Sequence, residues 1–309
     1  MNKKGFIKLT IYVIVMVLLG YLVYTNKELI LNKIDYIYRK YIQVNIKQDL
    51  TSNEYQKKEN YEYVKFNDDI KMKNKEDIKN AIYTYLDAGW DKYIVVCDVD
   101  YLQCTSDVKE MVENKSFLTT INYFVNPLNT FNEFDTAISQ GGKITFSKKR
   151  RYSEDKAMEI TKTVDKIYKE NYDSSKNAKE NIKIFHDYII NNTRYDKENL
   201  TGAPNIESST AYGVLKSGLG TCSGYSDTMS LFLDKMNIKN YRILSKSHVW
   251  NFVYVEGEWL HLDLTWDDPT SEDNTDRLTD KYFLISTEEL EQKNDGEHDF
   301  DKNIYIEAK

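Results

Sequence analysis

The chain has 309 residues and a mass of 36.4 kDa, which allows one large domain or two smaller ones. Hydrophobic residues make up 41% and charged residues 29% of the sequence, so the composition excludes disorder along the whole chain. The small number of Gly and Pro residues, 12 and 3, excludes collagen-like and proline-rich architectures. The net charge of −7 argues against nucleic-acid binding by the whole chain, because such proteins are usually basic.

A long apolar segment lies near the N-terminus. Residues 9–25 carry no charged side chain, and as a helix they would extend about 26 Å, at the short end for a membrane span. Lys3, Lys4 and Lys8 precede the segment, which predicts that the N-terminus stays in the cytoplasm and that the rest of the protein lies outside it. A cleaved signal peptide would have a shorter apolar core that ends in small residues, whereas this segment ends in YLVYT. We therefore expect residues 1–25 to be an uncleaved single-pass anchor in the cell membrane.

The three cysteines fall into two groups. Cys97 and Cys104 lie seven positions apart and could form a disulfide or remain two buried thiols. Cys222 makes the number of cysteines odd, so an exported protein would keep at least one free thiol. The sequence has no CxxC motif and no Cys/His spacing typical of zinc ligands, so we expect neither a metal nor a cofactor.

Composition and periodicity divide the rest of the chain into three parts. Residues 26–60 are polar and weakly periodic, and we interpret them as a stalk. Residues 61–150 contain short alternating runs that predict a small α/β domain, with strands at 93–97 and 143–146. Residues 151–309 form the last domain.

Two amphipathic helices open the last domain. Apolar residues recur on one helical face over 154–171 and again over 178–191. Residues 195–209 are predicted to form a loop, because Gly202 and Pro204 lie within them.

A thiol at the start of a predicted helix is the first sign of chemistry. Cys222 follows the run SGLGT and opens a segment in which apolar residues recur at helical spacing. The positive end of a helix dipole favours the thiolate, which is the nucleophilic form of cysteine. A lone cysteine in this position is more often an inert buried residue, so the assignment depends on its partners.

A predicted hairpin supplies those partners. Residues 241–244, 248–255 and 258–266 have the composition of strands, and Glu256 and Gly257 form a two-residue turn between the last two. In that register, residues whose numbers sum to 513 face each other, so His248 and Asp263 are diagonal neighbours on one face, with Cβ atoms roughly 6–8 Å apart. A loop one residue longer or shorter would place them on opposite faces.

The three residue types together predict nucleophilic acyl chemistry. His248 would deprotonate Cys222 or hold it as an ion pair, and Asp263 would orient the imidazole. The backbone N–H of Cys222 is the expected first donor to the oxyanion. The second donor is left open among three aromatic candidates near the substrate groove: Tyr195, Tyr212 and Trp250.

The motifs resemble the transglutaminase-like superfamily of cysteine enzymes. The resemblance rests on residues 220–225 (GTCSGY), 247–251 (SHVWN) and 258–269 (EWLHLDLTWDDP), and it extends over about 178–285. Trp250 and Trp259 occupy the positions where the family has an aromatic residue after the His and a Trp before the Asp, and we expect both to line the substrate groove. The resemblance implies an α+β, papain-like core with Cys222 on a helix and with His248 and Asp263 on adjacent strands. Residues 61–177 are similar to the upstream region of bacterial, clostridial-type surface proteins that carry this core.

The resemblance also implies the class of reaction. Such a domain attacks a Gln side-chain amide or a peptide bond through a thioester, either as a protease or amidase or as a transglutaminase. The partner would be a protein or peptide substrate, at the cell surface or in the cell wall. A catalytically inactive binding or scaffold domain that keeps the fold is the alternative, because some members of the superfamily lack activity.

Several other features have alternative interpretations. The GxCxG run around Cys222 also fits a nucleophile elbow, but His248 precedes Asp263 and no strand precedes the cysteine, which opposes an α/β-hydrolase. His186 is expected to be a satisfied core histidine, and His298, in the acidic run DGEHD, is expected to be solvated. An acidic run over 267–276 lacks EF-hand spacing and is expected to be a solvated loop rather than a calcium site.

Overall fold

The protein is described here from a computed structural model, which defines residues 3–41, 46–197, 205–269 and 278–309. It is a mixed α+β structure, as predicted. Part of the predicted loop over 195–209, including Gly202 and Pro204, lies outside the described residues, as does most of the acidic run over 267–276.

Two helices form the N-terminal part. Helix α1 spans Lys3–Thr25 and α2 spans Lys27–Tyr41. Within α1, the segment Ile7–Thr25 is long and apolar enough to cross a membrane, and none of it is buried inside the protein. A signal sequence meets the same criteria of length and composition, so the structure supports an N-terminal apolar helix without choosing between the two.

The segment expected to form a stalk packs against the rest of the protein over much of its length. Arg39 of α2 is buried and donates hydrogen bonds to the carbonyl oxygens of Asp98 and Tyr101, both at 3.1 Å. Further on, the side-chain amide of Gln48 bonds both the N–H and the carbonyl of Ile94. The described parts of this segment, 26–41 and 46–60, are therefore partly helical and partly hydrogen-bonded to the residues that follow.

The first sheet has four strands in the order β1-β2-β4-β3. Strands β1 and β2 are parallel, and the other two pairings are antiparallel. Three helices, α3 to α5, lie in the same part of the chain. The strands are Lys71–Met72 (β1), Lys92–Cys97 (β2), Phe131–Ser139 (β3) and Lys143–Arg150 (β4), and the helices are Lys75–Asp87 (α3), Cys104–Glu113 (α4) and Lys115–Asn122 (α5). The two predicted strands are confirmed within β2 and β4.

The disulfide left open by the sequence is formed. Cys97, the last residue of β2, is bonded to Cys104, the first residue of α4, with the two Cα atoms 5.8 Å apart. Both side chains are buried. The bond closes the loop whose carbonyl oxygens bind Arg39.

Three helices and a second sheet build the C-terminal part. The helices are Glu154–Asn171 (α6), Ala178–Asn192 (α7) and Cys222–Lys235 (α8). The apolar faces predicted for α6 and α7 are confirmed: Ile160, Val164, Ile182 and Phe185 are among their buried residues. A capping box at Asn177 starts α7.

The second sheet is antiparallel throughout, in the order β10-β9-β8-β7. Its strands are Asn240–Leu244 (β7), Val249–Val255 (β8), Glu258–Leu262 (β9) and Phe283–Ile285 (β10). The predicted hairpin register is confirmed, with Asn251 opposite Leu262 and Val255 opposite Glu258. The turn residues Glu256 and Gly257 both have positive φ, 55° and 91°, as this type of turn requires.

The third predicted strand is too long. Strand β9 ends at Leu262 and a short helix, Leu264–Asp267 (α9), follows. The physical reason is local, because the carboxylate of Asp263 caps the backbone N–H groups of Thr265 and Trp266. Helix α10, Thr287–Lys293, comes after β10.

One core cluster contains side chains from both sides of residue 150. Tyr61, Tyr83 and Phe124 of the first part pack with Tyr241 and Phe252 of the second sheet. The division between residues 150 and 151 stays a prediction, but the two parts share packed aromatic side chains.

Candidate active site

Cys222 is the first residue of α8, as the sequence predicts. Its N-cap residue is Thr221, whose side chain makes no cap hydrogen bond, and the thiol is free and partly exposed. Tyr195 lies opposite Gly220 in a two-stranded parallel sheet formed by Arg194–Tyr195 (β5) and Leu219–Gly220 (β6). The helix start is therefore held against the chain segment that carries Tyr195.

Two glycines allow the helix start to approach its neighbours closely. A Cβ atom on Gly224 would lie 2.4 Å from the carbonyl oxygen of Ser208, and one on Gly220 would lie 2.7 Å from a methyl carbon of Val214. The expectation that no strand precedes Cys222 is wrong, since the two-residue strand β6 lies just before it, but the glycines of the GxCxG run are explained by this close packing.

His248 and Asp263 form a buried hydrogen-bonded pair. The Nε2 atom of His248 lies 2.5 Å from Oδ2 of Asp263, and the two side chains are 4% and 2% exposed. Each residue lies one position outside its strand, His248 before β8 and Asp263 after β9. The predicted proximity is thus present, although neither residue belongs to the regular ladder.

The carboxylate of Asp263 is saturated with donors. Its Oδ1 atom accepts the N–H groups of Thr265 and Trp266, at 2.8 and 3.3 Å. Its Oδ2 atom accepts from His248 and also from Nε2 of His298, at 2.8 Å. A carboxylate that accepts this many hydrogen bonds is held in its ionised form.

His298 is the functional candidate that the sequence reasoning missed. It was expected to be solvated, but it is only 7% exposed and contacts the carboxylate of Asp263. One residue of the acidic run that suggested a solvated tail is a partner of His298, since its Nδ1 atom lies 2.8 Å from Oδ2 of Asp295. Nothing local in the sequence signals this contact, because His298 lies 35 residues after Asp263.

The electrostatics of the pair follow from this geometry. Burial acts to lower the pKa of His248, but the charge and hydrogen bond of Asp263, with a smaller contribution from Cys222, raise it well above its usual value. Burial acts to raise the pKa of Asp263, but His248 and His298 hold it well below its usual value. Both shifts favour an imidazolium beside a carboxylate.

A second buried network supports the strand that precedes Asp263. The indole N–H of Trp250 donates to Nδ1 of His261 at 3.0 Å, and Nε2 of His261 lies 2.9 Å from Oγ1 of Thr287. Burial, with a smaller effect from His298, lowers the pKa of His261 to about 3, so His261 is neutral. The Trp250 ring stacks beside His248, with the ring centroids 5.8 Å apart.

The structure separates the other predicted groove residues. Tyr195 is near the start of α8, because it pairs with Gly220, two residues before Cys222. Burial, with a smaller effect from the charge of Cys222, raises its pKa to about 12. The described contacts of Tyr212 are to α6 instead, where Nζ of Lys156 lies 4.7 Å from its ring centroid. Trp259 stacks on Phe252, 5.0 Å away, within the aromatic cluster shared by the two parts of the chain.

Two further expectations concern histidine and acidic residues outside the pair. His186 is fully buried between Asp187 and Asp267, at 2.9 and 3.2 Å, as expected of a satisfied core histidine. Asp267 and Asp268, at the start of the acidic run, are buried and hydrogen-bonded rather than solvated. The remainder of that run lies outside the described residues.

The spacing of His248, Asp263 and His298 would also suit a metal ion, since one ligand atom from each lies within 4.8 Å of the others. In the structure these atoms are joined by direct hydrogen bonds of 2.5 and 2.8 Å. The arrangement is therefore explained as a carboxylate that bridges two imidazoles.

Comparison with known proteins identifies the class of the domain. Residues 163–264 match the sequence model of the transglutaminase-like superfamily, so the chain carries a transglutaminase-like domain. This region includes Cys222, His248 and Asp263. No curated protein matches the chain.

Solved structures similar to the chain include three with related descriptions. A crystal structure of a TGase has 16% sequence identity and a TM-score of 0.35, with 50% of this chain and 48% of the other covered. A candidate cysteine protease from Cytophaga hutchinsonii has 12% identity and a TM-score of 0.29, with 50% and 64% covered. A candidate protease from Parabacteroides distasonis has 19% identity and a TM-score of 0.25, with 41% and 29% covered. The chain thus spans less than two thirds of the length of each of these structures.

Proposed function

We propose that the protein is a membrane-anchored, extracytoplasmic cysteine enzyme that transfers acyl groups from amides. The observation that supports this best is the buried pair of His248 and Asp263, together with a free thiol at the start of α8 that contributes to the raised pKa of His248. In this proposal Cys222 is the nucleophile, His248 is the general base and acid, and Asp263 orients and charges the imidazole.

The reaction begins with the thiolate of Cys222 and the imidazolium of His248. The sulfur attacks the amide carbonyl carbon, and the C–S bond forms as the carbonyl oxygen takes the negative charge. The C–N bond then breaks as His248 gives its proton to the departing nitrogen, which leaves a thioester on Cys222. A second nucleophile, water or a primary amine, loses a proton to His248, attacks the thioester and releases the thiolate.

The oxyanion needs donors close to the sulfur. The backbone N–H of Cys222, at the first position of α8, is one. For the second we favour the hydroxyl of Tyr195, because the register with Gly220 holds it beside the helix start and the phenol is protonated at neutral pH. Trp250 is a weaker candidate, since its indole N–H already donates to His261.

The substrate is proposed to be a protein or peptide at the cell surface or in the cell wall, with either a peptide bond or a Gln side chain as the amide. Hydrolysis would make the protein a protease or amidase, and an amine acceptor would make it a cross-linking transglutaminase. The apolar helix Ile7–Thr25 would hold the domain at the membrane, with the preceding lysines in the cytoplasm.

Amide turnover by the full chain in detergent micelles tests the proposal. Peptide cleavage and ammonia release are measured with and without a primary amine, in the wild type, Cys222→Ala and Cys222→Ser. We expect turnover in the wild type only, and amine incorporation alongside ammonia would identify transamidation. Turnover that survives in Cys222→Ala contradicts the proposal, and binding of partners without turnover in any form would favour the inactive binding domain.

A further inference from the structure

His298 is held between two acidic side chains from different parts of the chain. Its Nε2 atom lies 2.8 Å from Oδ2 of Asp263, and its Nδ1 atom lies 2.8 Å from Oδ2 of Asp295. The residue is 7% exposed and follows α10, beyond the region that matches the superfamily.

This geometry determines the protonation of His298. Ionised carboxylates only accept hydrogen bonds, so both ring nitrogens satisfy their partners only if both carry a proton. A neutral ring would place a nitrogen lone pair against a carboxylate oxygen inside the protein, where an unfavourable polar contact is costly.

Asp295 is fixed so that it can act as the second acceptor. It accepts the backbone N–H groups of Glu297 and His298, at 3.0 and 3.2 Å, and the hydroxyl of Tyr282 at 3.1 Å. The Tyr282 ring also stacks on His298, with the centroids 5.1 Å apart.

We infer that His298 is a positioning residue, an imidazolium that fixes Oδ2 of Asp263 and shares the charge of that carboxylate with His248. The inference rests on the proposed function, because it concerns the same catalytic site. The hydrogen bond from His298 fixes Oδ2 of Asp263 in the position where it accepts from Nε2 of His248. The other ring nitrogen of His248, Nδ1, is then available to the thiol of Cys222.

The charge of His298 has a second effect. The rings of His298 and His248 are 5.1 Å apart, so a positive charge on His298 disfavours protonation of His248 and favours the thiolate of Cys222. The other groups that face His298 are the two carboxylates, the phenol of Tyr282, the neutral His261 and the indole rings of Trp250 and Trp266. Glu297 and Asp299, the neighbours of His298 in the chain, are both exposed. His298 thus shifts the pH range in which the Cys222–His248 ion pair exists toward lower pH.

The ion pair exists between two ionisation steps, the loss of the Cys222 proton at lower pH and the loss of the His248 imidazolium proton at higher pH. Removal of the charge of His298 therefore moves both steps in one direction. Without His298 the thiol loses its proton at higher pH, because a nearby cation is gone. The imidazolium of His248 also loses its proton at higher pH, for the same reason. If His298 only filled space, its replacement would change the alkylation rate at every pH without moving the two steps.

The experiment is the pH profile of Cys222 alkylation by a neutral reagent, on the full chain in detergent micelles. In His298→Gln we expect both ionisation steps of the rate profile to move upward by about one pH unit. Asp295→Asn removes the second acceptor of His298, so the ring should lose its proton, and both steps should move in the same direction by less because an anion is lost together with the cation. Asp299→Asn, a charge change at an exposed neighbour, is the matched control and should leave the profile unchanged.

The outcomes separate the inference from the proposed function. An unshifted profile in His298→Gln, with His248→Ala still slowing alkylation, overturns the inference alone. No effect of His248→Ala on the wild-type rate overturns the proposed function itself. If His298→Gln does not fold, an unshifted profile in Asp295→Asn overturns the inference.

Discussion

The Nε2 atom of His248 lies 2.5 Å from Oδ2 of Asp263, although each residue lies one position outside its strand. The tight turn at Glu256 and Gly257 sets the register that brings them together, and the cap on α9 holds the carboxylate once the strand has ended. The pair therefore depends on both the hairpin and the helix that follows it.

The first prediction concerns the carboxylate. Asp263→Asn keeps the size of the side chain but removes the charge that favours the imidazolium of His248, and an amide in this place can select the wrong tautomer. We expect amide turnover to fall by about 10³–10⁴-fold. Turnover by Asp263→Asn and by the control Asp299→Asn is compared in single-turnover assays, and a loss of less than tenfold in Asp263→Asn would argue against the assigned role.

The second prediction concerns stability and pH. Because the folded protein raises the pKa of His248, the stabilising contribution of this group is complete below about pH 6.5 and is lost as the pH rises through the raised value. The contribution of Asp263, whose pKa is lowered, is present above about pH 4 and is lost as the pH falls below that. The difference in free energy of unfolding between the wild type and His248→Gln should therefore be largest near pH 5–6 and shrink above it.

Denaturant unfolding in micelles between pH 5 and pH 9 measures this difference. A difference that stays constant over the whole range would mean that His248 is neutral in the folded protein, against the ion pair described here.

The third prediction concerns the network behind the site. Oγ1 of Thr287 meets Nε2 of His261 at 2.9 Å and accepts the backbone N–H of Ala308 at 2.8 Å. Thr287→Val leaves two buried donors without an acceptor, which should lower the free energy of unfolding by about 1–3 kcal/mol. Exposed Thr119→Val is the control and should change it by less than about 0.5 kcal/mol. Equal values for the two variants would show that the network does not stabilise the fold.

The fourth prediction concerns the helix that carries the thiol. A Cβ atom at position 224 would lie 2.4 Å from the carbonyl oxygen of Ser208, so Gly224→Ala must push the start of α8 away from the segment before it. We expect a loss of about 1–3 kcal/mol in stability together with slower alkylation of Cys222. Lys235→Ala, an exposed substitution in the same helix, should affect neither. A stable Gly224→Ala protein with a normal thiol would contradict the packing argument.

Patterns local in sequence predicted much of the site. The composition of the turn fixed the parity of the hairpin, and so the face shared by His248 and Asp263. The spacing of apolar residues predicted α6, α7 and the helix that starts at Cys222. These features depend on neighbours a few residues apart, which is why they can be read without a structure.

The missed features depend on contacts between distant segments or on a local cap. His298 reaches Asp263 across 35 residues, and its acidic neighbours are equally typical of a solvated tail. The overlong third strand arose because the apolar alternation continues past Leu262, whereas the carboxylate of Asp263 starts a helix there. Residues 46–60 have the composition of a linker, but the side-chain amide of Gln48 makes hydrogen bonds to the backbone of Ile94. The spacing of apolar residues cannot predict a contact between polar groups.

The proposed chemistry requires a reactive ion pair of Cys222 and His248, and the rate of Cys222 alkylation as a function of pH shows whether this pair exists. The full chain in micelles is treated with a neutral alkylating reagent, the labelled cysteine is identified by mass spectrometry, and His248→Ala is measured in parallel. We predict fast labelling of the wild type that persists below about pH 6 and is strongly slowed in His248→Ala. Labelling that rises only near pH 8.5, as for a free thiol, and that is the same in both proteins would contradict the account.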